Sequence, residues 1–135
     1  KNIKLPTYKT SGSSGMDLVA YIKNKIIINP GKTAMIPTGI AVAIPRHYEI
    51  QIRPRSGLAA KKGISVLNTP GTVDSDYRGE IKIILINLSK KSFIVKSGDR
   101  VAQMILCPVV KGKLQEVKNL PKTVRDKGGF GSTGK

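Results

Sequence analysis

Short hydrophobic segments, each followed by turn residues, recur along this 135-residue chain and restrict its fold more than any other feature. They read MDLVAY, IIIN, TAMIP, GIAVAIP, YEIQIRP, ISVL, IKIILIN, FIV and VAQMILCPVV. Residues 48–53 alternate apolar and polar side chains with the period of two that a half-buried strand requires. No window of 11 residues keeps a helical period, and residues 58–62 could form at most a turn or so of helix. About eight strands are predicted, in an all-β sandwich, jelly roll or closed barrel.

The composition agrees with one β domain built on an aliphatic core. Hydrophobic residues make up 39% of the chain, but it has only two phenylalanines, four tyrosines and no tryptophan. Such a core of Ile, Val and Leu favours strands. Cys107 is the only cysteine, so no internal disulfide can form and a buried, inert thiol is expected. No apolar run is long enough to span a membrane and no signal peptide is recognisable, so a cytoplasmic location is expected.

The charge is strongly positive, with 24 Lys and Arg against 8 Asp and Glu, a net charge of +16. A surface of this sign attracts polyanions such as nucleotides, nucleic acids or anionic membranes, although most single lysines are expected only to be solvated. Three of the eight acids, Asp74, Asp76 and Glu80, fall within seven residues of each other. This placement predicts a site that requires negative charge. His47 has no partner at ligand spacing and is expected to be solvated.

The C-terminal stretch GGFGSTGK matches the first seven positions of the phosphate-binding loop G-x-x-x-x-G-K-[ST]. That loop needs a buried strand before it, whereas KNLPKTVRDK is charged and interrupted by proline, so the match is rejected. Arg125, Ser132 and Thr133 still suit phosphate oxygens, and Phe130 could stack on a base. We expect a β domain over residues 1–124 and a mobile arm over residues 125–135. A solvated tail without a role is the alternative.

Two internal stretches carry groups of the same chemical kind. RPRSG, residues 53–57, supplies arginine, a hydroxyl and a glycine, and is also a common turn sequence. In NTPGTVDSDYRGE, residues 68–80, Asp74 could orient and deprotonate a water, an effect worth about 10² to 10⁴ in rate. An ideal strand would place Asp74 and Tyr77 on opposite faces, so a pocket that uses both needs an irregular backbone at the start of the following strand. Surface ion pairing of these acids with lysines is the alternative.

The remaining polar candidates are ambiguous by themselves. In SGDRVAQMI, Asp99 and Arg100 are expected to pair, and Gln103 offers a neutral hydrogen-bond donor. Asp17, in SSGMDL, is either a carboxylate associated with a metal or a residue that caps a turn.

Taken in order, the segments SSGMDL, RPRSG, LNTPGTVDSDYRGE, GDRVAQMI and RDKGGFGSTG resemble the five motifs of the homotrimeric dUTPases. The resemblance extends from residue 13 to residue 134. It implies a jelly-roll-like subunit, a trimer whose active sites are shared between chains, and hydrolysis of dUTP to dUMP and pyrophosphate. It also implies that Mg²⁺ is carried on the triphosphate.

Carried over by position, the resemblance makes Asp74 the carboxylate that orients the attacking water. Tyr77 packs against the deoxyribose and excludes a 2′-hydroxyl, and Asp17 is linked indirectly to the metal. The residues expected at the uracil, with the backbone as the main reader, are Asn68, Gly71, Thr72, Val73 and Lys82. The residues expected at the phosphates are Arg55, Ser56, Gly57 and Gln103. The residues expected in the arm that closes over the nucleotide are Arg125, Phe130, Gly131, Ser132 and Thr133.

The sequence departs from the family pattern at Asp126, where glycine usually follows the arginine of the fifth motif. Arm closure is then weaker, or this acid points to solvent. Ser13, where alanine is common, should matter little. One alternative is an enzyme like dCTP deaminase, which shares the fold but is not expected to carry the arm. Another is a basic nucleic-acid-binding β-barrel, but six aromatic residues make a poor stacking platform, so no stable nucleic-acid binding is expected. A purely structural jelly-roll subunit would leave Asp74 and Arg125 without a role.

Overall fold

The computed structural model describes residues 3–131, and this part of the chain is mostly β-strand. The strands and the one helix are β1 (Met16–Val19), β2 (Ile26–Ile28), β3 (Thr33–Pro37), β4 (Tyr48–Arg53), α1 (Ser56–Lys62), β5 (Ile64–Val66), β6 (Gly71–Val73), β7 (Lys82–Asn87), β8 (Phe93–Val95) and β9 (Arg100–Pro108). The single helix of this part has only seven residues, too few to cross a bilayer.

The strands form three antiparallel sheets. The largest has the order β1-β9-β4-β6, the second has the order β3-β7-β5, and β2 pairs with β8 alone. In the described residues every sheet keeps two open edges, so the prediction of a sandwich or jelly roll is confirmed and that of a closed barrel is wrong. The long strand β9 lies between β1 and β4 in the largest sheet. Its residue Gln103 is opposite Asp17 of β1 on one side and opposite Arg53 of β4 on the other.

All three sheets contribute to one aliphatic core. Leu18 and Ile52 come from the largest sheet, Ile36 and Ile83 from the second, and Val95 from the pair of strands, and each is at most 5% exposed. No aromatic side chain belongs to the fully buried set among residues 3–131, as the composition predicted. The period of two in β4 is also confirmed, since Ile50 and Ile52 are buried while the polar residues between and beside them are not.

Three predictions about secondary structure are wrong. Residues 39–45 form no strand: Ile40 and Ile44 are buried, but the Ile40 carbonyl accepts a hydrogen bond from an isolated partner, the Ile81 N–H, not from a ladder. Hydrophobic spacing reports burial, not backbone pairing. The short strand β6 was not predicted, and α1 is a two-turn helix that begins at Ser56. Gly63, at φ 63°, ends it in the left-handed conformation that glycine adopts readily.

The corner where α1, β5 and the β7–β8 turn meet is held by Asn87, whose side chain is fully buried. Its amide nitrogen donates to the carbonyls of Ile28 and Lys91, both at 2.8 Å, and its oxygen accepts from the Ser89 N–H at 2.9 Å. Every polar atom of this amide therefore has a partner, which fixes the turn. On β9, Cys107 is half-buried, so the expectation of a buried thiol is wrong.

Candidate active site

A cavity of about 540 Å³ opens between β6, β7 and the turn that joins them. Its walls are mainly apolar with a few polar groups among them, a composition typical of small-molecule sites. The lining residues include Met35, Ile52, Val66, Asn68, Gly71, Thr72, Val73, Asp74, Tyr77, Gly79, Glu80, Ile81, Lys82 and Ile83. All the residues predicted for the uracil, and both Asp74 and Tyr77, therefore lie around one cavity.

The turn of residues 74–80 places Asp74 and Tyr77 on the same cavity. The Tyr77 N–H donates to the Asp74 carbonyl at 3.1 Å, which folds the chain back directly after β6. The Tyr77 hydroxyl donates to the Glu80 carbonyl at 3.0 Å, and this bond holds the ring across the turn. The requirement for an irregular backbone is thus confirmed. Asp74 does not start the following strand, however, because β7 begins only at Lys82.

Two glycines make room for these side chains. A β-carbon at Gly79 would lie 2.6 Å from Cζ of Tyr77, and one at Gly71 would lie 3.0 Å from Nδ2 of Asn68. Both distances are shorter than an ordinary van der Waals contact, so a larger residue at either position would displace the neighbouring side chain. The sequence reasoning did not select Gly79. Its position two residues after the tyrosine, in YRGE, was the available signal.

A second cluster joins β1, β9 and the start of α1. Nε of Arg55 lies 3.0 Å from one carboxylate oxygen of Asp17, and Nη1 of Arg100 lies 3.1 Å from the other. Nη1 of Arg55 also donates to the Arg100 carbonyl at 3.1 Å. Asp17 lies within a strand, so the prediction of a turn cap is wrong. The predicted pairing of Asp99 with Arg100 is also wrong, since Asp99 accepts from the Lys96 N–H and Arg100 reaches Asp17.

The other residues predicted for phosphate lie beside this cluster. Ser56 and Gly57 are exposed in the first turn of α1. The side-chain amide of Gln103 donates to the Pro54 carbonyl at 2.9 Å. Gln103 is therefore a hydrogen-bond donor, as expected, but its partner here is a backbone carbonyl. A β-carbon at Gly15 would lie 2.8 Å from Oε1 of Gln103, which shows how closely β1 approaches that amide. The second cluster therefore has two arginines on one carboxylate, with a hydroxyl and an amide on the adjoining segments.

The segment after β9 has no regular element up to residue 131. Nε of Arg125 donates to the Gly128 carbonyl at 2.8 Å, and the Phe130 side chain is fully exposed. Asp126 adopts φ 44°, a left-handed conformation that suits glycine and is tolerated by aspartate. This conformation gives a physical reason for glycine at that position of the motif. Gly131 is exposed, while the predicted contacts of Ser132 and Thr133 lie outside the described residues.

The cavity and the second cluster do not share residues. Asp17 lies on β1 and Thr72 on β6, the opposite edges of the same four-stranded sheet. Three interstrand spacings of about 4.8 Å separate those edges by about 14 Å. Within one chain, the groups predicted for the base, for the phosphates and for arm closure therefore form three separate sets.

A cavity of this kind with a carboxylate at its rim, on a jelly-roll-like β-sandwich, defines a β domain of the small-molecule-binding class. The chain belongs to the dUTPase family, whose model matches residues 1–134. It is 55% identical over 134 residues to the deoxyuridine 5′-triphosphate nucleotidohydrolase of Caldanaerobacter subterraneus subsp. tengcongensis, covering 99% of this chain and 90% of that protein. It is 56% identical over 130 residues to the protein of the same name from Hydrogenobaculum sp., covering 96% of this chain and 90% of that protein.

Solved structures of phage dUTPases share the fold. A mutant of the Staphylococcus bacteriophage 80alpha dUTPase with dUpNHpp superposes with a TM-score of 0.87 at 23% identity, covering 99% of this chain and 94% of that chain. A mutant dUTPase from the S. aureus phage phi11, described with a structural Mg(II) ion, superposes with a TM-score of 0.78 at 21% identity, covering 88% of this chain and 92% of that chain. These similarities confirm the predicted jelly-roll-like architecture.

Proposed function

We propose that this protein is a dUTP diphosphatase that hydrolyses dUTP to dUMP and pyrophosphate. The observation that carries the proposal is the convergence of Asp74, Tyr77 and the predicted base-reading backbone on one cavity. Membership of the dUTPase family and the names of the close relatives support the same reaction. The alternative of a dCTP deaminase-like enzyme has no comparable support.

Asp74 is proposed as the general base. Its carboxylate accepts a proton from a water, the water oxygen forms a bond to phosphorus, and the bond between the α- and β-phosphates breaks to release pyrophosphate. Asp74 is exposed at the rim of the cavity, directly after the buried Val73, so its backbone is anchored while its carboxylate can reach a bound water. Such a base is worth about 10² to 10⁴ in rate.

Substrate selection is proposed to reside in the walls of the cavity. The backbone from Gly71 to Asp74, together with Asn68 and Lys82, reads the uracil. The Tyr77 ring, fixed by its bond to the Glu80 carbonyl, lies against the deoxyribose and leaves no room for a 2′-hydroxyl. A rigid wall is needed because an apolar pocket rejects an added hydroxyl only about 10²-fold.

The second cluster is proposed to receive the phosphates, with Arg55, Ser56, Gly57 and Gln103 as the contacting residues. Arginine presents a planar set of donors that matches phosphate oxygens. Asp17 holds the Arg55 guanidinium at 3.0 Å in a defined orientation.

Mg²⁺ is the proposed cofactor and is expected to arrive on the triphosphate. Among residues 3–131 no group of three His, Cys, Asp or Glu side chains could hold a metal ion. This donor set fits a cation that is bound mainly by phosphates and water, as Mg²⁺ commonly is. Both carboxylate oxygens of Asp17 are occupied by arginines, which leaves this residue an indirect role. When bound, Mg²⁺ would neutralise charge on the phosphates.

A homotrimer with active sites shared between chains is proposed for two reasons. First, the cavity and the second cluster lie at opposite edges of one sheet, so one chain does not bring them together. Second, the segment after β9 exposes large apolar side chains, with Val110 at 95% and Leu114 at 98% exposure, more than a solitary domain is expected to leave in water. The arm of residues 125–135 is then proposed to close over a nucleotide held by other copies.

Mixing two inactive variants tests shared sites directly. Asp74→Asn and Arg55→Ala each remove one essential group, and neither should turn over dUTP alone. If the two groups of one site come from different chains, co-refolded mixtures contain some intact sites and regain part of the activity. Mixtures that stay inactive, although native mass spectrometry of differently tagged variants shows mixed trimers, would place both groups of each site in one chain.

The activity itself is tested by product analysis with dUTP, dCTP, UTP and dTTP in the presence of Mg²⁺. Preferential conversion of dUTP to dUMP and pyrophosphate supports the proposal. Deamination of dCTP, or no consumption of dUTP, contradicts it. The cytoplasmic location remains a prediction from the sequence.

A further inference from the structure

Five exposed lysines surround the buried Asn87, at the end of the molecule where α1, β5 and the β7–β8 turn meet. We call this surface the basic corner, and it comprises Lys32, Lys61, Lys62, Lys90 and Lys91. It belongs neither to the cavity nor to the cluster around Asp17.

Backbone hydrogen bonds hold the three lysine-bearing segments together. The Asn87 N–H donates to the Lys32 carbonyl at 3.0 Å, and the Asn87 amide donates to the Lys91 carbonyl at 2.8 Å. The Leu88 N–H donates to the carbonyl of Gly63 at 2.8 Å, which attaches the end of α1 to the same turn. The lysines are therefore neighbours because of the fold, although they are up to 59 positions apart in the sequence.

No acidic residue occurs in the three segments that form the basic corner, residues 31–32, 59–63 and 88–94. Three acids elsewhere in the described chain have partners of their own: Asp17 pairs with two arginines, Glu80 accepts from the Gly39 N–H and Asp99 accepts from the Lys96 N–H. The positive charge of the basic corner is thus not neutralised locally. A helix C-terminus attracts cations, which accounts for Lys61 and Lys62, but not for the lysines of the other two segments.

The surface is concave. Four of the lysines line a depression of about 780 Å³, together with Gly63, Ser89, Ser92 and Phe93. The one aromatic ring in it is half-buried and packs against the core, so it cannot serve as a platform for bases. Single-stranded nucleic acid is usually bound by stacking on aromatic rings, whereas a duplex is held at its phosphates by lysine and arginine.

We propose that the basic corner binds the phosphate backbone of duplex nucleic acid, without reading sequence. The contact is electrostatic and brings the enzyme to a polyanion while the cavity stays free for its own ligand. It revises the expectation of no nucleic-acid binding, which rested on the lack of stacking aromatics. A backbone contact needs none and is correspondingly weak and dependent on salt.

The number of lysines sets the expected salt dependence. Neutralising about five phosphates gives a slope of log K against log salt of about −4.5. A rise from 50 to 200 mM salt should then weaken binding by roughly 500-fold. Replacing four of the five lysines should reduce the slope by about 3.6.

The test compares two variants with equal net charge. The first replaces Lys61, Lys62, Lys90 and Lys91 with glutamine, and the control replaces four exposed lysines elsewhere, Lys4, Lys9, Lys113 and Lys118. Binding to a fluorescent 20-base-pair duplex is measured by anisotropy between 50 and 200 mM salt, with melting and dUTP turnover as checks of the fold. The first variant should lose most of its affinity and slope, while the control keeps most of both.

Equal losses in both variants would show that only overall charge matters and would overturn the proposal. It would also be overturned if the first variant kept its duplex affinity but lost binding to vesicles of phosphatidylserine, since the corner would then be a membrane contact. If the fourfold variant fails to fold, Lys90→Gln with Lys91→Gln should still reduce the slope by about 1.8. An unchanged slope there would refute the assignment. Because turnover is measured separately, failure of this proposal is distinguishable from failure of the proposed function.

Discussion

Replacing Gly79 with alanine tests how the enzyme would reject ribonucleotides. The new β-carbon would lie 2.6 Å from Cζ of Tyr77, whereas an ordinary contact begins near 3.4 Å. The ring must therefore withdraw by at least about 0.8 Å, the difference between these two distances, because the hydroxyl oxygen lies nearer still to the new β-carbon. This movement would stretch the 3.0 Å bond from the Tyr77 hydroxyl to the Glu80 carbonyl. The tyrosine ring would then no longer be held at the position where we propose that it contacts the deoxyribose.

The same change should leave stability almost unaltered. Weakening one neutral hydrogen bond costs about 1 kcal/mol. Replacing glycine by alanine returns about 0.4–1 kcal/mol, because the unfolded chain loses freedom and Gly79 does not have a positive φ. The two effects nearly cancel. A misplacement approaching 1 Å, in contrast, can cost up to about 10² in rate.

We expect Gly79→Ala to lower kcat/KM for dUTP by about 10- to 100-fold and to narrow its preference for dUTP over UTP. Steady-state release of pyrophosphate from both nucleotides is the assay, with thermal melting alongside. Gly112→Ala is the matched control, since a β-carbon there would meet nothing within 4 Å. An unchanged rate and preference in Gly79→Ala would refute the reasoning, and a large drop in melting temperature would show that the substitution acts through folding.

Three further predictions concern the proposed general base, the arm and the second cluster. Asp74→Asn should preserve assembly and dUTP binding but reduce turnover by about 10²- to 10⁴-fold, because the proposed proton acceptor is lost. Calorimetry measures the binding and single-turnover kinetics measures the rate, and an unchanged rate would contradict the assignment. Truncation before Arg125 should leave melting largely unchanged, since the described part of the arm is exposed, while catalysis collapses; retained activity would remove the arm from the mechanism. Asp17→Asn should raise KM more than it lowers kcat, because Arg55 loses its fixed orientation, and should cost about 1–2 kcal/mol in denaturant unfolding, since the pairs with Arg55 and Arg100 are partly exposed. Unaltered kinetics with reduced stability would make Asp17 purely structural.

Much of the fold could be predicted from local pattern. The alternation in β4 and the hydrophobic runs that form β3 and β7 arise because one or both faces of these strands are buried. The order of apolar and polar residues in the sequence indicates this burial directly. Residues 39–45 were misjudged because Ile40 and Ile44 are as buried as strand residues while their backbone has isolated partners. The strand β6 was missed because its residues, Gly71 to Val73, carry almost no hydrophobic signal and pair with β4 through the backbone.

For the site, the sequence determined which chemical groups are present: a carboxylate beside a tyrosine, an arginine with a hydroxyl, and a glycine-rich arm. Local spacing even required the irregular turn that seats Asp74 and Tyr77 on the same cavity. Only the tertiary structure decided which groups meet, because pairing across sheets joins residues far apart in the chain. It directed Arg100 to Asp17, 83 positions away, and not to the neighbouring Asp99. It also gathered the scattered lysines around Asn87, an arrangement that depends on contacts between distant segments and that no local pattern encodes.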